Sequence, residues 1–271
     1  MAEKAMRSGE RRGTALVTGA SAGLGICFAE ALAARGHDLI LTARRGERLE
    51  ALATRLRDAH GVAVTVLPRD LSAPDGVATL IADIGRHRLS VELLINNAGF
   101  GLHGAFIDQS PDAIRQMIDL NCRAVAELCR ALLPGMVQMR GGGIINVASV
   151  AGFVPGPWMA AYYASKAFVL SLTEALREEV RGKGVRIVAL CPGATRTEFA
   201  TVSGLSDSKA FQAAAGSAAD VVAAGLRAWD RDKAICIPGA ANRLAPLVVR
   251  FAPRALVRRG VARFQRLRRK T

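Results

Sequence analysis

The stretch that begins at Tyr162 contains the residue types that a proton transfer needs. It reads YYASK, so two adjacent tyrosines precede Lys166 in a chain that has only two tyrosines. A phenol titrates at about pH 10 and is a poor acid or base at neutral pH, but a neighbouring ammonium lowers that pKa. Residues three or four positions apart share a helix face, so spacing alone allows either Tyr162 or Tyr163 to pair with Lys166.

Short β-branched runs alternate along the chain with longer amphipathic stretches, and this alternation predicts the elements that would position such a site. The predicted strands are 14–18, 38–43, 62–67, 91–96, 143–148, 185–190 and 234–237. The predicted helices are 23–35, 46–59, 74–87, 111–138, 160–182 and 217–229, the last opened by the capping pattern of Ser217 and Asp220. Because parallel strands need crossover connections, we expect an α/β fold with a Rossmann-like, doubly wound, seven-stranded parallel sheet and helices on both faces.

A glycine-rich loop follows the first predicted strand and leads directly into a helix. Its letters, TGASAGLG, run from Thr18 to Gly25. In such a loop Gly19 would permit the tight turn, Gly23 would let the backbone approach a pyrophosphate, and Gly25 would allow close helix packing. The helix N-terminus favours the phosphate charge. Glycines also serve ordinary turns, but the strand–loop–helix setting favours a dinucleotide site.

The end of the second predicted strand indicates which dinucleotide is bound. Arg44 and Arg45 follow this strand, where a site for NAD typically has an acid that accepts from the ribose 2′-hydroxyl. Arginine suits a 2′-phosphate, so the sequence favours NADP(H) over NAD(H). The alternative is a solvated pair of charges at a helix start.

Together these motifs resemble the single-domain branch of the short-chain dehydrogenase/reductase family over about residues 13–240. The matching motifs are Thr18-Gly19-xxx-Gly23-x-Gly25, Asn96 to Gly99, Asn121, Ser149, Tyr162-xxx-Lys166 and Pro192 to Thr197. The resemblance implies that Tyr162, not Tyr163, is the acid/base. It also implies that Ser149 donates to the carbonyl oxygen, that Lys166 holds the nicotinamide ribose and tunes Tyr162, and that Asn121 anchors a water relay behind Lys166.

The resemblance further implies the cofactor contacts. Asp70 would meet the adenine, residues 97–99 would back its ribose, and the segment 192–197 would face the nicotinamide amide and the phosphates. The expected cofactor-binding residues are Gly19, Ser21, Gly23, Leu24, Gly25, Arg44, Arg45, Asp70, Leu71, Asn97, Ala98, Gly99, Tyr162, Lys166, Pro192, Gly193, Thr195 and Thr197.

The activity expected from this set is the NADPH-dependent interconversion of a hydrophobic ketone, aldehyde or 3-oxoacyl compound and its alcohol. Apolar residues near the catalytic set predict the substrate wall, and the stretch 201–216 is a candidate mobile lid. The wall candidates, each of which could instead be ordinary core, are Phe100, Leu102, Phe106, Phe153, Val154, Trp158, Met159, Phe199, Leu205 and Phe211. Two other functions stay open: a non-catalytic NADP-sensing or scaffolding protein, and an epimerase or dehydratase in the same frame.

The positive charge of the chain is concentrated at its C-terminal end. The net charge is +14, and residues 242–271 contain ten Lys and Arg and no Asp or Glu. We therefore expect a catalytic domain over 1–241 and a basic amphipathic extension over 242–271, with Val257, Val261, Phe264 and Leu267 near one face. Such a segment can fold back or self-associate, lie on an anionic membrane, or bind a polyanion, and we favour the first. No nucleic-acid-binding motif accompanies it, so no nucleic acid is expected.

The remaining composition fits a soluble, or at most peripheral, protein in a reducing compartment. The five cysteines form no CxxC pair, which disfavours a metal site or a disulfide framework. The N-terminal stretch lacks the apolar core of a secretory signal, and no apolar run approaches the ~20 residues of a membrane-spanning helix. We expect a cytoplasmic protein and, by family resemblance, a homodimer or homotetramer formed through the predicted helices 111–138 and 160–182.

Overall fold

A seven-stranded parallel sheet forms the centre of the protein. The computed structural model describes residues 12–199 and 215–269. The strands are β1 (Arg12–Thr18), β2 (His37–Thr42), β3 (Val64–Val66), β4 (Val91–Asn96), β5 (Gly143–Val147), β6 (Arg186–Leu190) and β7 (Ile235–Cys236), in the sheet order β3-β2-β1-β4-β5-β6-β7. The predicted sheet is confirmed. Its two edge strands, β3 and β7, are shorter than predicted, and each pairs with only one neighbour.

Helices cover both faces of the sheet. They are α1 (Gly23–Ala33), α2 (Gly46–His60), α3 (Gly76–Arg86), α4 (Pro111–Ile118), α5 (Ala124–Met139), α6 (Ala160–Glu179), α7 (Ala218–Asp230), α8 (Ala240–Phe251) and α9 (Arg254–Arg269). Successive residues of β1 point to opposite faces, so Leu16 joins the apolar cluster under α3, α5 and α6, whereas Val17 joins the one under α1, α2 and α7. Among the described residues, no helix combines the length and apolar character that crossing a membrane requires.

Two predicted helices differ in detail from the structure. The helix expected over 111–138 is interrupted by a π-helical turn, Asp119–Arg123, between α4 and α5. Helix α7 follows Ser217 as predicted, but the Ser217 side chain makes no capping hydrogen bond. The capping pattern therefore placed the start of the helix correctly, and the cap contact it implied is wrong.

The site lies where the strand order reverses, between β1 and β4. The connections that follow β1 and β4 lead to opposite sides of the sheet, and this leaves a crevice at the carboxyl ends of the two strands. The Thr18 hydroxyl ties the two strand ends together because it donates to the carbonyl oxygen of Ile95 at 3.2 Å and accepts from the amides of Asn97 and Ala98, both at 2.9 Å. The floor of the crevice is thereby fixed by backbone contacts.

Candidate active site

The conformation of the glycine-rich loop after β1 requires glycine at three of its positions. Gly19 and Gly23 have φ values of +65° and +54°, a left-handed conformation that glycine adopts without strain. A Cβ on Gly19 would lie 2.9 Å from the Cα of Ala98, and a Cβ on Gly25 would lie 2.2 Å from the carbonyl oxygen of Gly19. The loop is therefore packed tightly against the β4 loop and against α1, which leaves its backbone and the start of α1 facing the crevice.

A cavity of about 460 Å³ runs along the carboxyl ends of the strands. All the expected cofactor-binding residues line it except Gly25, which packs beneath the loop. Ser149 and Tyr162 also line it, whereas Asn121 is buried behind the wall. The described residues contain no group of three or more His, Cys, Asp or Glu side chains arranged to hold a metal ion.

One end of the cavity carries a compact group of charges. Arg45 donates from Nη2 to the Ser21 hydroxyl at 3.1 Å and from Nη1 to a carboxylate oxygen of Glu198 at 3.0 Å. Arg48 donates to the other Glu198 oxygen at 2.8 Å, and hydrogen bonds from the two arginines hold the pKa of Glu198 below its usual range. Arg44 is exposed beside them. Sequence reasoning found Arg44 and Arg45 but missed Glu198, because it lies 153 positions from Arg45 and belongs to no local pattern.

The adenine side of the expected site is held by short local contacts. The Asp70 carboxylate accepts from the Ser72 amide at 2.9 Å and from the Ser72 hydroxyl at 2.6 Å. The Asn97 side chain donates to the carbonyl oxygen of Thr18 at 2.9 Å. Both residues are therefore fixed by the backbone of the loops that carry them, at the rim of the cavity.

The three residues expected to react come from two elements that meet over β5 and β6. Ser149 follows β5, accepts from the Ala151 amide at 3.1 Å and donates to the carbonyl oxygen of Pro192 at 3.4 Å. Tyr162 and Lys166 lie one turn apart on α6, and both are buried. Lys166 donates from Nζ to the carbonyl oxygen of Val147, the last residue of β5, at 2.8 Å.

The electrostatics of Tyr162 differ from the sequence-based expectation. Burial raises the pKa of Tyr162, and a hydrogen bond with Ser149 acts in the opposite direction without reversing the shift. The net lowering of the Tyr162 pKa that the sequence predicts is therefore not found, because burial is the largest contribution. Burial also lowers the pKa of Lys166, to about 8. At neutral pH the phenol is protonated, which suits a proton donor.

Asn121 lies in the π-helical turn between α4 and α5. Its Nδ2 atom donates to the carbonyl oxygen of Phe100 at 2.9 Å and to the Ser165 hydroxyl at 3.0 Å, and its Oδ1 accepts from the Phe100 amide at 3.2 Å. A Cβ on Gly99 would lie 2.9 Å from Oδ1 of Asn121 and 3.5 Å from Nζ of Lys166, so the amide and the ammonium are close neighbours. A π turn shifts the residues on either side of it and often marks a functional position.

Apolar side chains enclose the other end of the cavity. Tyr162 lies with Met159 and Met117 in a small buried cluster, with Phe100, Leu102 and Phe199 packed against it. The centres of the Tyr162 and Phe199 rings are 5.4 Å apart. Of the other wall candidates, Phe153 packs against the main core, Phe106 is exposed, and Val154 and Trp158 are half-buried. Leu205, Phe211 and most of the candidate lid, 201–214, lie outside the described residues.

Comparison with known proteins identifies the family of this chain. The profile of the family described as short chain dehydrogenase matches residues 13–206. The chain belongs to the short-chain dehydrogenase family. Family membership makes it an oxidoreductase that acts on alcohol and carbonyl groups.

Three relatives show the range of this similarity. A short-chain dehydrogenase from Sphingobium yanoikuyae in complex with NADPH is 39% identical, with a TM-score of 0.80, over 87% of this chain and 92% of that one. A bulky-bulky ketone specific alcohol dehydrogenase from Comamonas testosteroni is 35% identical, with a TM-score of 0.76, over 88% and 91%. A very-long-chain 3-oxoacyl-CoA reductase from Anas platyrhynchos is 34% identical over 70% of this chain and 62% of its own length.

The side chains of this short-chain dehydrogenase fit a nicotinamide dinucleotide. Any side chain at Gly19 would strike the β4 loop, and the first turn of α1 faces the cavity as an anion site requires. The cavity continues from the arginines at one end to Tyr162 and Lys166 at the other. An extended ligand with phosphates in its middle and a reactive ring at the apolar end would match this distribution of groups.

Proposed function

We propose that this short-chain dehydrogenase interconverts hydrophobic carbonyl compounds and their alcohols with NADP(H), using Tyr162 as the acid/base. The observation that carries the proposal is the position of Tyr162. It is buried where the dinucleotide-sized cavity meets the apolar cluster of Met159 and Phe199, and its phenol is protonated at neutral pH. A sensor or scaffold would not need a buried proton donor beside a buried amine, so the site favours catalysis over that alternative.

Each polar group has a role in the reduction. NADPH held in the cavity would supply the hydride that the carbonyl carbon accepts. Ser149 can turn its hydroxyl from the long 3.4 Å contact with Pro192 to the substrate oxygen, where negative charge develops. Tyr162 then donates its proton to that oxygen. The ammonium of Lys166 stabilises the phenolate that remains, and its hydrogen bond to the carbonyl oxygen of Val147 fixes the place of the amine.

The preference for NADP(H) follows from the charged end of the cavity. Arg45 is already bonded to Ser21, so a guanidinium and a hydroxyl converge at one point of the rim, with Arg44 exposed beside them. A 2′-phosphate would receive charge-assisted hydrogen bonds there, whereas the carboxylate beside Arg45, that of Glu198, is held by Arg45 and Arg48 and is not free to accept from a 2′-hydroxyl. The relative from Sphingobium yanoikuyae, solved with NADPH, supports the same choice.

The proposed substrates are lipophilic ketones, aldehydes or 3-oxoacyl compounds. The cavity lining next to Tyr162 includes Met159, Phe100 and Phe199, so a lipophilic substrate bound there would bury apolar surface. The names of the Comamonas testosteroni and Anas platyrhynchos relatives, a bulky-ketone alcohol dehydrogenase and a 3-oxoacyl-CoA reductase, fall in this class. An epimerase or dehydratase has no observation in its favour at this site.

A carbonyl panel assayed with NADPH and NADH side by side tests the proposal. We expect the absorbance of the reduced cofactor to fall with bulky lipophilic ketones, aldehydes or 3-oxoacyl thioesters, and to fall faster with NADPH. Preference for small charged ketones would contradict the apolar wall. Equal rates with NADH would contradict the role of Arg45.

We further propose that the enzyme forms a homodimer or homotetramer through α4, α5 and α6. Three large apolar side chains on these helices are exposed, namely Ile118, Met139 and Phe168. Exposed apolar side chains on neighbouring helices favour burial against a second copy. Light scattering of the purified protein measures the assembly directly, and a monomer at micromolar concentration would contradict it.

A second surface suits contact with an anionic membrane. The outer side of the C-terminal helices exposes Leu244, Phe251 and Leu256 among arginines and without acidic residues. Helices of this composition lie in the headgroup region of a bilayer, with arginines on the lipid phosphates. We propose peripheral membrane contact through this surface, where lipophilic substrates would also be concentrated.

A further inference from the structure

The C-terminal helix α9 touches the substrate end of the active site through one buried side chain. Gln265 lies beyond the segment matched by the family profile, yet its side chain is 0% exposed. Its Nε2 atom donates to the hydroxyl of Tyr163 at 2.7 Å and lies 3.8 Å from the sulfur of Met159. Both partners line the cavity, so a residue of the extension contacts two residues of the site wall.

Tyr163 is held from both ends. A Cβ on Gly156 would lie 2.2 Å from the Tyr163 ring, which means that the ring packs directly on the backbone at Gly156. At the other end, Gln265 fixes the hydroxyl. The rings of Tyr162 and Tyr163 meet edge to face with their centres 6.1 Å apart, so the position of Tyr163 sets the space beside the reacting phenol.

Burying the amide of Gln265 is energetically unfavourable unless both of its polar atoms find hydrogen-bond partners. Its Oε1 atom is buried and has no hydrogen-bond partner among the described residues. Leucine or methionine would fill a similar volume without burying an unpaired polar atom, so packing alone does not account for glutamine. The contact that only a polar side chain can make is the one to the Tyr163 hydroxyl.

We infer that Gln265 is a positioning residue that sets substrate specificity by fixing Tyr163 and Met159 at the wall of the substrate pocket. The inference rests on the proposed function and assigns part of the specificity to the extension outside the family core. Loss of the hydrogen bond lets the Tyr163 ring and the Met159 side chain move. The pocket then discriminates less between a bulky lipophilic ketone that fills it and a smaller one that does not.

The test compares Gln265→Leu, Tyr163→Phe and the double variant on a bulky and a small ketone. For either single variant we expect KM for the bulky ketone to rise about three- to tenfold, the factor to which the net contribution of one hydrogen bond converts. We expect kcat to change less than about twofold, since neither residue touches the reacting atoms. The Kd for NADPH, measured by fluorescence without substrate, should not change.

The double variant separates this role from a general loss of stability. If Gln265 acts mainly through the Tyr163 hydroxyl, the effect of the double variant on KM should be clearly smaller than the product of the two single effects, because both single variants remove the same hydrogen bond. Leu256→Ala, on the exposed side of α9, is the matched control and should behave like the unsubstituted enzyme. If Gln265→Leu fails to fold, Tyr163→Phe still removes the same hydrogen bond and keeps the ring.

The outcomes distinguish this inference from the proposed function. An enzyme that is active but shows additive effects, or an unchanged ratio of kcat/KM for the two ketones in Gln265→Leu, overturns the role of Gln265 alone. A protein without activity on any carbonyl compound, yet with NADPH bound, overturns the proposed function and this inference together.

Discussion

The ammonium of Lys166 lies 5.9 Å from the centre of the Tyr162 ring. Its hydrogen bond goes to the carbonyl oxygen of Val147, at 2.8 Å, on the last residue of β5. The two side chains share one face of α6, as their spacing predicts, but the amine is fastened to the sheet. The pair therefore holds a protonated phenol beside a positive charge. That charge stabilises the phenolate that forms when Tyr162 gives up its proton.

Replacing Tyr162 with phenylalanine removes the proton donor and leaves the ring. We expect kcat to fall at least about 10³-fold, within the range attributed to general acid catalysis. NADPH binding, followed by fluorescence, should persist because the rest of the cavity is unchanged.

Tyr163→Phe is the matched control for this variant, since it removes the neighbouring hydroxyl. It should retain most of kcat. An inactive Tyr163→Phe enzyme together with an active Tyr162→Phe enzyme would show that Tyr163, not Tyr162, is the acid/base.

The pH profile of carbonyl reduction should have an alkaline limit set by Lys166. Burial lowers the pKa of Lys166 to about 8, so the ammonium is lost as the pH rises through that value. The pKa of Tyr162 is raised, so the phenol itself stays protonated over the same range. We expect kcat for reduction to decline above about pH 8. In Lys166→Arg the guanidinium stays charged, and the decline should move to higher pH or vanish.

A decline that is identical in Lys166→Arg would show that another group sets the limit. The temperature of unfolding offers an independent check. Because the folded pKa lies below the unfolded value, the unfolded chain binds more protons between about pH 8 and 10.5, and this residue's contribution to stability rises with pH in that window. Lys166→Met should abolish that contribution.

Most of the fold could be predicted from the sequence, because buried parallel strands are runs of apolar residues. The spacing in the segment from Tyr162 to Lys166 predicts that a phenol and an amine share a helix face, but the choice of Tyr162 over Tyr163 depends on the family resemblance and stays a prediction. Gln265 and Glu198 could not be predicted. Their roles depend on contacts 102 and 153 positions away along the chain, for which no periodicity exists. The interruption at Asn121 was missed for a related reason, since a π turn inserts into an otherwise regular helical pattern.

Glu198 should weaken NADPH binding in the unsubstituted enzyme. Its carboxylate is held by Arg45 and Arg48 at the end of the cavity where a 2′-phosphate would bind, so the two anions compete for the same guanidinium. We expect Glu198→Gln to tighten the Kd of NADPH by up to about fivefold, the factor for one exposed charge contact, and to leave that of NADH nearly unchanged. Fluorescence titration of the free enzyme measures both constants without turnover.

Arg45→Ala is the complementary control, because it removes the guanidinium that would bind the 2′-phosphate and leaves the competing Glu198 carboxylate in place. NADPH binding should weaken and NADH binding should change little. If Glu198→Gln weakens NADPH instead, the carboxylate orients Arg45 for the phosphate and does not compete with it.

The outer surface of α8 and α9 should bind anionic vesicles in a salt-dependent way. Phe251 is 84% exposed and Leu256 is 59% exposed, and the corner between the two helices places them within five residues of each other. We expect the unsubstituted protein to sediment with vesicles that contain phosphatidylglycerol and not with neutral phosphatidylcholine vesicles, and to be released as salt screens the arginines. Phe251→Glu and Leu256→Glu should each reduce sedimentation.

The matched control is Ile107→Glu, an equally drastic change at a 91% exposed apolar residue outside these helices. Point variants are preferable to deletion of the extension, because deletion would also remove Gln265 from the site wall. Equal loss with Ile107→Glu, or no sedimentation at low salt, would contradict membrane binding through this surface.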